Sequence, residues 1–366
     1  LKFVSGWPSH QISTQPSRPP PSAEMAIGSP FHAGEQSVQQ QVGVRDEAEG
    51  LGQSMIRDFM PDQHRMFFSS LPFLYLAVED AETRLPWATV AFTMRNAEAF
   101  SFRSFMDSPE PQVLLLRDAA VLSQERLALK QGDLFGAMGL MAESRRRNRM
   151  NGEIIQASGG ESGSISFAAR VQQSFGNCPK YIQAREVKVD VGAWRARSHG
   201  PVTEGKALKD ARAREMVERA DTFFIASKAG AAPGDSNASS LGLDMSHRGG
   251  NPGFVELSKG GDSLVWPDYR GNNMFQTLGN LMSNRHCGLL FLDYASGDAL
   301  QLQGFAKLDL ADASLPGGLR SVRFYIDRYV FTPGGTPLFA RGPMELSPYN
   351  PLPSTADAPR RNIVEM

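Results

Sequence analysis

Cysteine is nearly absent: Cys178 and Cys287 are the only two in 366 residues, and they lie far apart. That spacing excludes a disulfide framework and points to a reducing, intracellular setting, with the cytoplasm as the expected location. An excess of either charge is missing too, since 38 Lys and Arg face 39 Asp and Glu for a formal net charge of −1. A balance so even gives no support for nucleic acid or a membrane surface as a partner. No apolar run reaches the ~18 residues that a bilayer crossing requires. The six His are scattered, which argues against a zinc site. No GxGxxG follows a strand and no GxxxxGK[ST] occurs. The Gly-containing loops at 159–163 and 230–234 lack the helix-opening context of those motifs, so a dedicated NAD or ATP domain is not expected.

What remains is ample for folding. A hydrophobic content of 41% with 22 Phe supports real cores, and 366 residues predict two domains. Residues 1–29 are expected to be disordered: the first 24 are rich in Pro, Ser and Gln and include Pro19, Pro20 and Pro21. They lack an apolar secretion core, and Met25 fits a start of translation. Residues 341–366 read as a second disordered tail.

Between these ends one pattern occurs twice. Residues 61–92 read as a polar helix, an apolar strand at 73–78, an acidic turn and a strand at 87–92. Residues 210–257 repeat the order, with a helix at 210–220, a strand at 222–226, a loop of small residues and a next strand near Gly253. Residues 134–155 and 289–308 each predict a hairpin whose second strand carries a central Gly, Gly152 or Gly304. A further strand closes each half, at 165–171 and 322–331. Two unrelated β-rich domains sharing common hairpins remain the alternative. The expected fold is mainly β with peripheral helices. Its first half spans 30–190, a linker 191–209, and its second half 210–340.

Three stretches carry a family resemblance. FHAGE at 31–35 leads into PDQHRMFF and LPFLYLAVEDAETRLPWATVAF; QSFGNCPKYIQAR occupies 173–185; HRGGNPGFV at 247–255 precedes PDYRGNNMFQTLGNL at 267–281. Together they resemble the pyridoxamine 5′-phosphate oxidase-like, FMN-binding split-barrel flavoproteins, in particular the long, two-part members. The resemblance covers roughly residues 30–332 and implies two tandem FMN-binding split β-barrels, FMN as cofactor and oxidoreductase activity. The single-barrel vitamin B6 oxidase places an Arg-x-His and an Arg near its end. LRSVRFYIDR at 319–328 lacks that His, so the namesake activity is not implied.

FMN needs charge-assisted donors for its phosphate, neutral polar partners for its ribityl chain and an apolar slot for its ring. The stretch from Asp268 supplies such groups: Arg270 as anion binder, Gly271 for close backbone approach, and Asn272, Asn273, Thr277 and Asn280 as neutral partners. An ordinary exposed turn fits 268–273 as well. Arg248, beside Gly249 and Gly250, is a second candidate, while His247 reads as a solvated loop residue. In the first half Asn177 is a further cofactor-binding candidate, and Lys180 and Arg185 are implied by the resemblance to lie on the strand that reaches the flavin edge. Cys178 reads as buried and inert, and Cys287 as core. Arg145, Arg146, Arg147 and Arg149 are expected at a solvated hairpin tip.

Single-barrel relatives hold flavin between two subunits, so a tandem chain can supply both walls. One site per chain is then expected, because residues 107–111 (DSPEP), the rough counterpart of DYRGNN, offer neither Arg nor Asn. A small-molecule substrate or NAD(P)H as electron donor is the expected partner, and a homodimer of whole chains is compatible with it. A binding module that carries flavin, haem or a deazaflavin without turnover is the alternative function.

Overall fold

Short β-branched and aromatic runs between Gly, Pro and Asp turns set the architecture. The computed structural model describes residues 28–93, 112–159, 164–197, 199–230 and 241–352. Three helices lead: α1 (Ala33–Val42), α2 (Arg45–Met55) and α3 (Asp62–Ser69). Then come β1 (Phe73–Glu79), β2 (Pro86–Thr93), β3 (Val113–Val121), β4 (Leu134–Met141), β5 (Arg146–Gly159) and β6 (Ile165–Asn177). A connecting stretch holds β7 (Ala184–Val189), α4 (Val191–Arg195) and β8 (Thr203–Gly205). The second unit runs through α5 (Ala211–Glu218), β9 (Thr222–Lys228), β10 (Leu243–Gly249), β11 (Glu256–Leu257) and β12 (Ser263–Asp268). It ends with α6 (Gln276–Ser283), β13 (His286–Asp293), β14 (Asp298–Asp309), β15 (Arg320–Thr332) and β16 (Leu338–Glu345). The molecule is mainly β with a few helices. No described helix is long and apolar enough to cross a membrane.

The first unit is a closed barrel in the order β1-β2-β3-β6-β5-β4. The second is an open eight-stranded sheet in the order β10-β9-β13-β14-β15-β12-β11, with β8 on β15. Cut between β2 and β3, the barrel reads β2-β1-β4-β5-β6-β3, the same order as β10-β9-β13-β14-β15-β12. The register agrees as well, for a bulge falls at Asn151/Gly152 in one unit and at Gln303/Gly304 in the other. Two tandem split barrels were expected; the first unit closes and the second is an open sheet. Ala91–Thr93 bonds to β3 in the first unit, whereas β10 has no backbone partner on that side among the described residues. Across the resulting seam Arg248 Nη1 donates to Asp268 Oδ1 at 2.9 Å, a side-chain clasp where the other unit has a ladder.

Strand alternation divides the buried residues among three layers. Leu74 and Leu76 of β1 point into the barrel with Phe135, Met150 and Phe167. Tyr75 and Ala77, on the other face, pack against Phe224, Met245 and Leu290 of the second unit. The far face of that sheet carries Phe223, Ile225, Trp266 and Phe324. Tyr75 and Phe224 hold corresponding places in β1 and β9, and their rings stack 3.7 Å apart. Gly136 and Gly288 also correspond, and both bring the units into backbone contact. A Cβ on Gly136 would stand 2.3 Å from the Leu243 carbonyl, and one on Gly288 2.7 Å from that of Pro86.

Three boundaries differ from the sequence reading. Helix α1 belongs to the first half in sequence but packs on α6, with Val38 in the second core. The expected linker at 191–209 contains α4 and β8. The expected tail from 341 begins inside β16, which pairs with β7 some 150 residues earlier. Segments this distant in sequence leave no local trace of their pairing.

Candidate functional site

The β4–β5 turn ends at Arg145, in left-handed conformation at φ 53°. Residues 146–149 therefore belong to β5 and not to a solvated tip, a correction with chemical consequences. Arg147, Arg149 and Asn151 alternate along β5 and share one face. That face meets β10, where the expected loop around His247 is instead a strand with Asp244, Ser246 and His247 all buried. The predicted strand near Gly253 is only the two-residue β11.

Between these strands lies an open cleft of about 880 Å³, counted out to its mouth. Both units line it. Arg147, Arg149, Asn177, Cys178, Lys180 and Tyr181 come from the first unit and the chain after it. Ser246, His247, Arg248, Phe254 and the stretch from Pro267 to Leu278, except Arg270 and Met274, come from the second.

Its charge is positive and incompletely matched. Arg149 is 5% exposed, pairs with Asp244 at 3.0 Å and donates to Gln276 Oε1 at 3.0 Å. Arg147 donates to His247 Nδ1 at 2.9 Å and has no carboxylate partner among the described residues. Burial pulls its guanidinium down to about 10, a value that still leaves it charged at neutral pH. Burial likewise lowers Arg149 from its ordinary value, against the opposing pull of Asp244. Solvent-shielded polar atoms without a hydrogen-bond partner concentrate here: Arg147 Nε, Arg149 Nε, Asn177 Oδ1, His247 Nε2, Arg248 Nε and Gln276 Nε2. Buried polar atoms are normally satisfied, and these six are met by no other described protein atom. Helix α6 starts on the cleft wall without a side-chain cap, after Asn273 at φ 62° and Phe275 at φ 57°. Its first-turn amides add a partial positive charge to the same wall.

Of the residues singled out in the sequence, Asn177, Lys180, Arg248, Asp268, Gly271, Asn272, Asn273 and Thr277 line this cleft. Asp268 acts there as an anchor: its two oxygens accept from Arg248 Nη1 and Arg320 Nε, each at 2.9 Å. Thr277 Oγ1 donates to Ser246 Oγ at 3.0 Å. Three candidates lie elsewhere. The Arg270 side chain is exposed, and only its carbonyl takes part, accepting from Tyr181 Oη at 3.1 Å. Arg185 turns away to pair with Asp221 at 2.5 Å. Asn280 is buried beneath the cleft, joining Asp244 Oδ2 (3.1 Å), Ser227 Oγ (3.0 Å) and the His32 ring (2.9 Å). The segment 107–111 lies outside the described residues.

Matching register gives each cleft residue a counterpart in the other unit. His247 faces Phe224 as Val90 faces Tyr75, and Asp244 faces Ser227 as Trp87 faces Val78. By the same count Arg248 corresponds to Ala91, Arg149 to Gln301 and Arg147 to Ala299. Trp87 is fully buried, and Gln301 Nε2 donates to the Ala88 carbonyl at 2.7 Å. The counterpart positions are thus held by a buried Trp ring, small apolar residues and a hydrogen-bonded amide.

No protein-family model matches this chain, and no curated protein matches it. Among solved structures it is similar to a HupZ variant from Group A Streptococcus, at 8% identity and a TM-score of 0.24, over 32% of this chain and 94% of that one. A proposed 5-nitroimidazole antibiotic resistance protein from Bacteroides thetaiotaomicron shares 11% identity at a TM-score of 0.23, over 40% of this chain and 95% of its own. The Bacillus subtilis inhibitor of motility, MotI/DgrA, shares 7% at 0.18, over 70% of this chain and 87% of its own. Scores this low assign neither a family nor an activity.

The cleft has a pH signature. Burial, reinforced by Arg147, Arg248 and Arg185, holds His247 well below 6.5, so the ring is neutral in the folded protein. The unfolded chain takes up a proton there below about 6.5, and the folded one does not. The stability contributed by neutral His247 is thus present above that pH and lost as pH falls. His64, lowered by burial to about 4, acts in the same sense. Glu35, raised by burial, acts in the opposite sense. Thermal melts between pH 7 and 4.5 should show a shallower acid loss for His247→Gln than for wild type; parallel curves would contradict the assignment.

Proposed function

We propose that the cleft holds FMN and that the chain is an FMN-dependent oxidoreductase built from two copies of one split-barrel pattern. The observation that carries this reading is the set of incompletely matched guanidiniums, Arg147 foremost, facing the uncapped start of α6. An enclosed cation without a carboxylate partner is costly alone and favourable beside a bound anion. Arg147, Arg149, Arg248 and Lys180 would meet the phosphate. Ser246, Asn272, Gln276 and Thr277 provide neutral partners for the ribityl hydroxyls, and Met138, Phe254, Tyr269 and Leu278 an apolar wall for the ring. Burial raises the Tyr269 hydroxyl to about 12, so it stays protonated on that wall. When bound, the flavin supplies the hydride chemistry; the protein's share is binding, orientation and electrostatics. NAD(P)H is the proposed electron donor.

Occupation of the counterpart positions by Trp87 and Gln301 supports one site per chain. Purified protein should release one FMN per chain, identified by mass, and Arg270→Ala should retain it. Release of two per chain, or of none after reconstitution with FMN, would overturn the reading. Bleaching of the bound flavin by NADPH or NADH, with recovery in air, separates an oxidoreductase from a carrier.

A further inference from the structure

A second, partly open cavity adjoins the cleft across His247, which lines both. Its walls are mostly apolar, with Leu71, Phe73, Leu140, Ile182 and Val187 around the rings of Tyr75 and Tyr294. The two phenols meet at 2.8 Å, Oη to Oη, and are 1% and 8% exposed. Burial raises Tyr294 to about 12 and Tyr75 well above its ordinary value, so both remain protonated. Two hydroxyls carry two protons, and one suffices for the bond between them. The other has no acceptor among the hydrogen bonds of the described residues.

Of the other ionisable groups on its lining, His247 is neutral, Arg185 is paired and Glu143 is solvated. Arg185, on the rim, pairs with Asp221 at 2.5 Å and lies 5.5 Å from the centre of the Tyr294 ring. Glu143, also on the rim, is exposed. His247 is uncharged at neutral pH. An ionic ligand would lose its hydration here without gaining a counter-charge. A flat uncharged ligand with one acceptor oxygen gains apolar contact and takes the spare hydroxyl proton.

We propose that this cavity is a binding subsite for an uncharged aromatic molecule bearing a carbonyl-type acceptor. Its adjacency to the cleft makes the ligand a co-substrate, a role that rests on the flavin reading; occupancy of the cavity does not.

The probes are 2-acetonaphthone and 2-ethylnaphthalene, near-isosteres with and without the acceptor. Titration calorimetry on the full chain, with FMN content measured separately, should show acetonaphthone binding about 5- to 10-fold tighter, the yield of one net hydrogen bond. Tyr75→Phe/Tyr294→Phe should remove that preference, leaving ethylnaphthalene affinity and flavin content unchanged. Leu71→Trp, which places a larger ring on the cavity wall, should abolish binding of both probes. Failure of wild type to bind either probe, or a preference that survives loss of both hydroxyls, overturns the proposal. Loss of flavin with probe binding intact would instead count against the flavin reading alone.

Discussion

Replacing Arg147 with Met should weaken FMN binding by about 10- to 100-fold, the loss of a charge-assisted contact worth roughly 1.5–3 kcal/mol. Met keeps much of the length and volume and removes only the charge and its donors. The same change should leave the flavin-free protein as stable as wild type or more so. Arg147 has no carboxylate partner to orphan; loss of its bond to the neutral His247 Nδ1 is offset by removal of a shielded charge whose Nε has no acceptor. Flavin fluorescence titration and melting of the flavin-free protein measure the two effects separately. A structural cation would show the reverse, with unchanged affinity and a lower melting temperature. Affinity within twofold of wild type would remove Arg147 from the site.

Asp244→Ala should do the opposite and destabilise the flavin-free fold by about 3–5 kcal/mol, the usual cost of leaving a buried charge without its partner. Asp244 is 7% exposed and holds Arg149 and Asn151, each at 3.0 Å, and Asn280 at 3.1 Å. Asn280 continues to His32, the residue that caps α1. One carboxylate thus ties the leading helix, α6, β5 and β10 beneath the cleft. The double change Arg149→Met/Asp244→Leu should recover much of the loss, since an apolar pair replaces a buried ion pair at little net cost. Chemical denaturation of the three variants decides it; additive losses would mean that the two residues act independently.

The contrast between these two residues shows how far the sequence could be read. The general class was legible because apolar runs and turn residues carry it locally: the helix before β1, the β1–β2 pair and the β13–β14 hairpin lie close to their expected places. So was the cleft's far wall, from Asp268 to Thr277, because Gly and Asn at a turn beside a helix start are a local signal. Strand β10 was not. LDMSHRG has little strand propensity and many polar groups; Leu243 and Met245 pack between the units, and its polar side chains are met by Arg147, Asn151, Asn280 and Thr277 from elsewhere. The arginines of β5 did leave a signal. Spacing of 147, 149 and 151 by two places them on one face once the turn is set at 142–145, but four basic residues together read as a solvated tip. Arg270 failed for a different reason: composition suggests that a turn binds anions without saying which side chains point inward.

The strand order shared by the two units has a consequence for how such a protein can change. In a twofold dimer every substitution is made twice, so a residue that improves one site is imposed on the other. Here Arg147 and Ala299 occupy corresponding places under separate codons, as do Asp244 and Trp87. One unit can thus place packing groups where the other keeps a charge without a carboxylate partner, a division of labour closed to any pair of identical subunits.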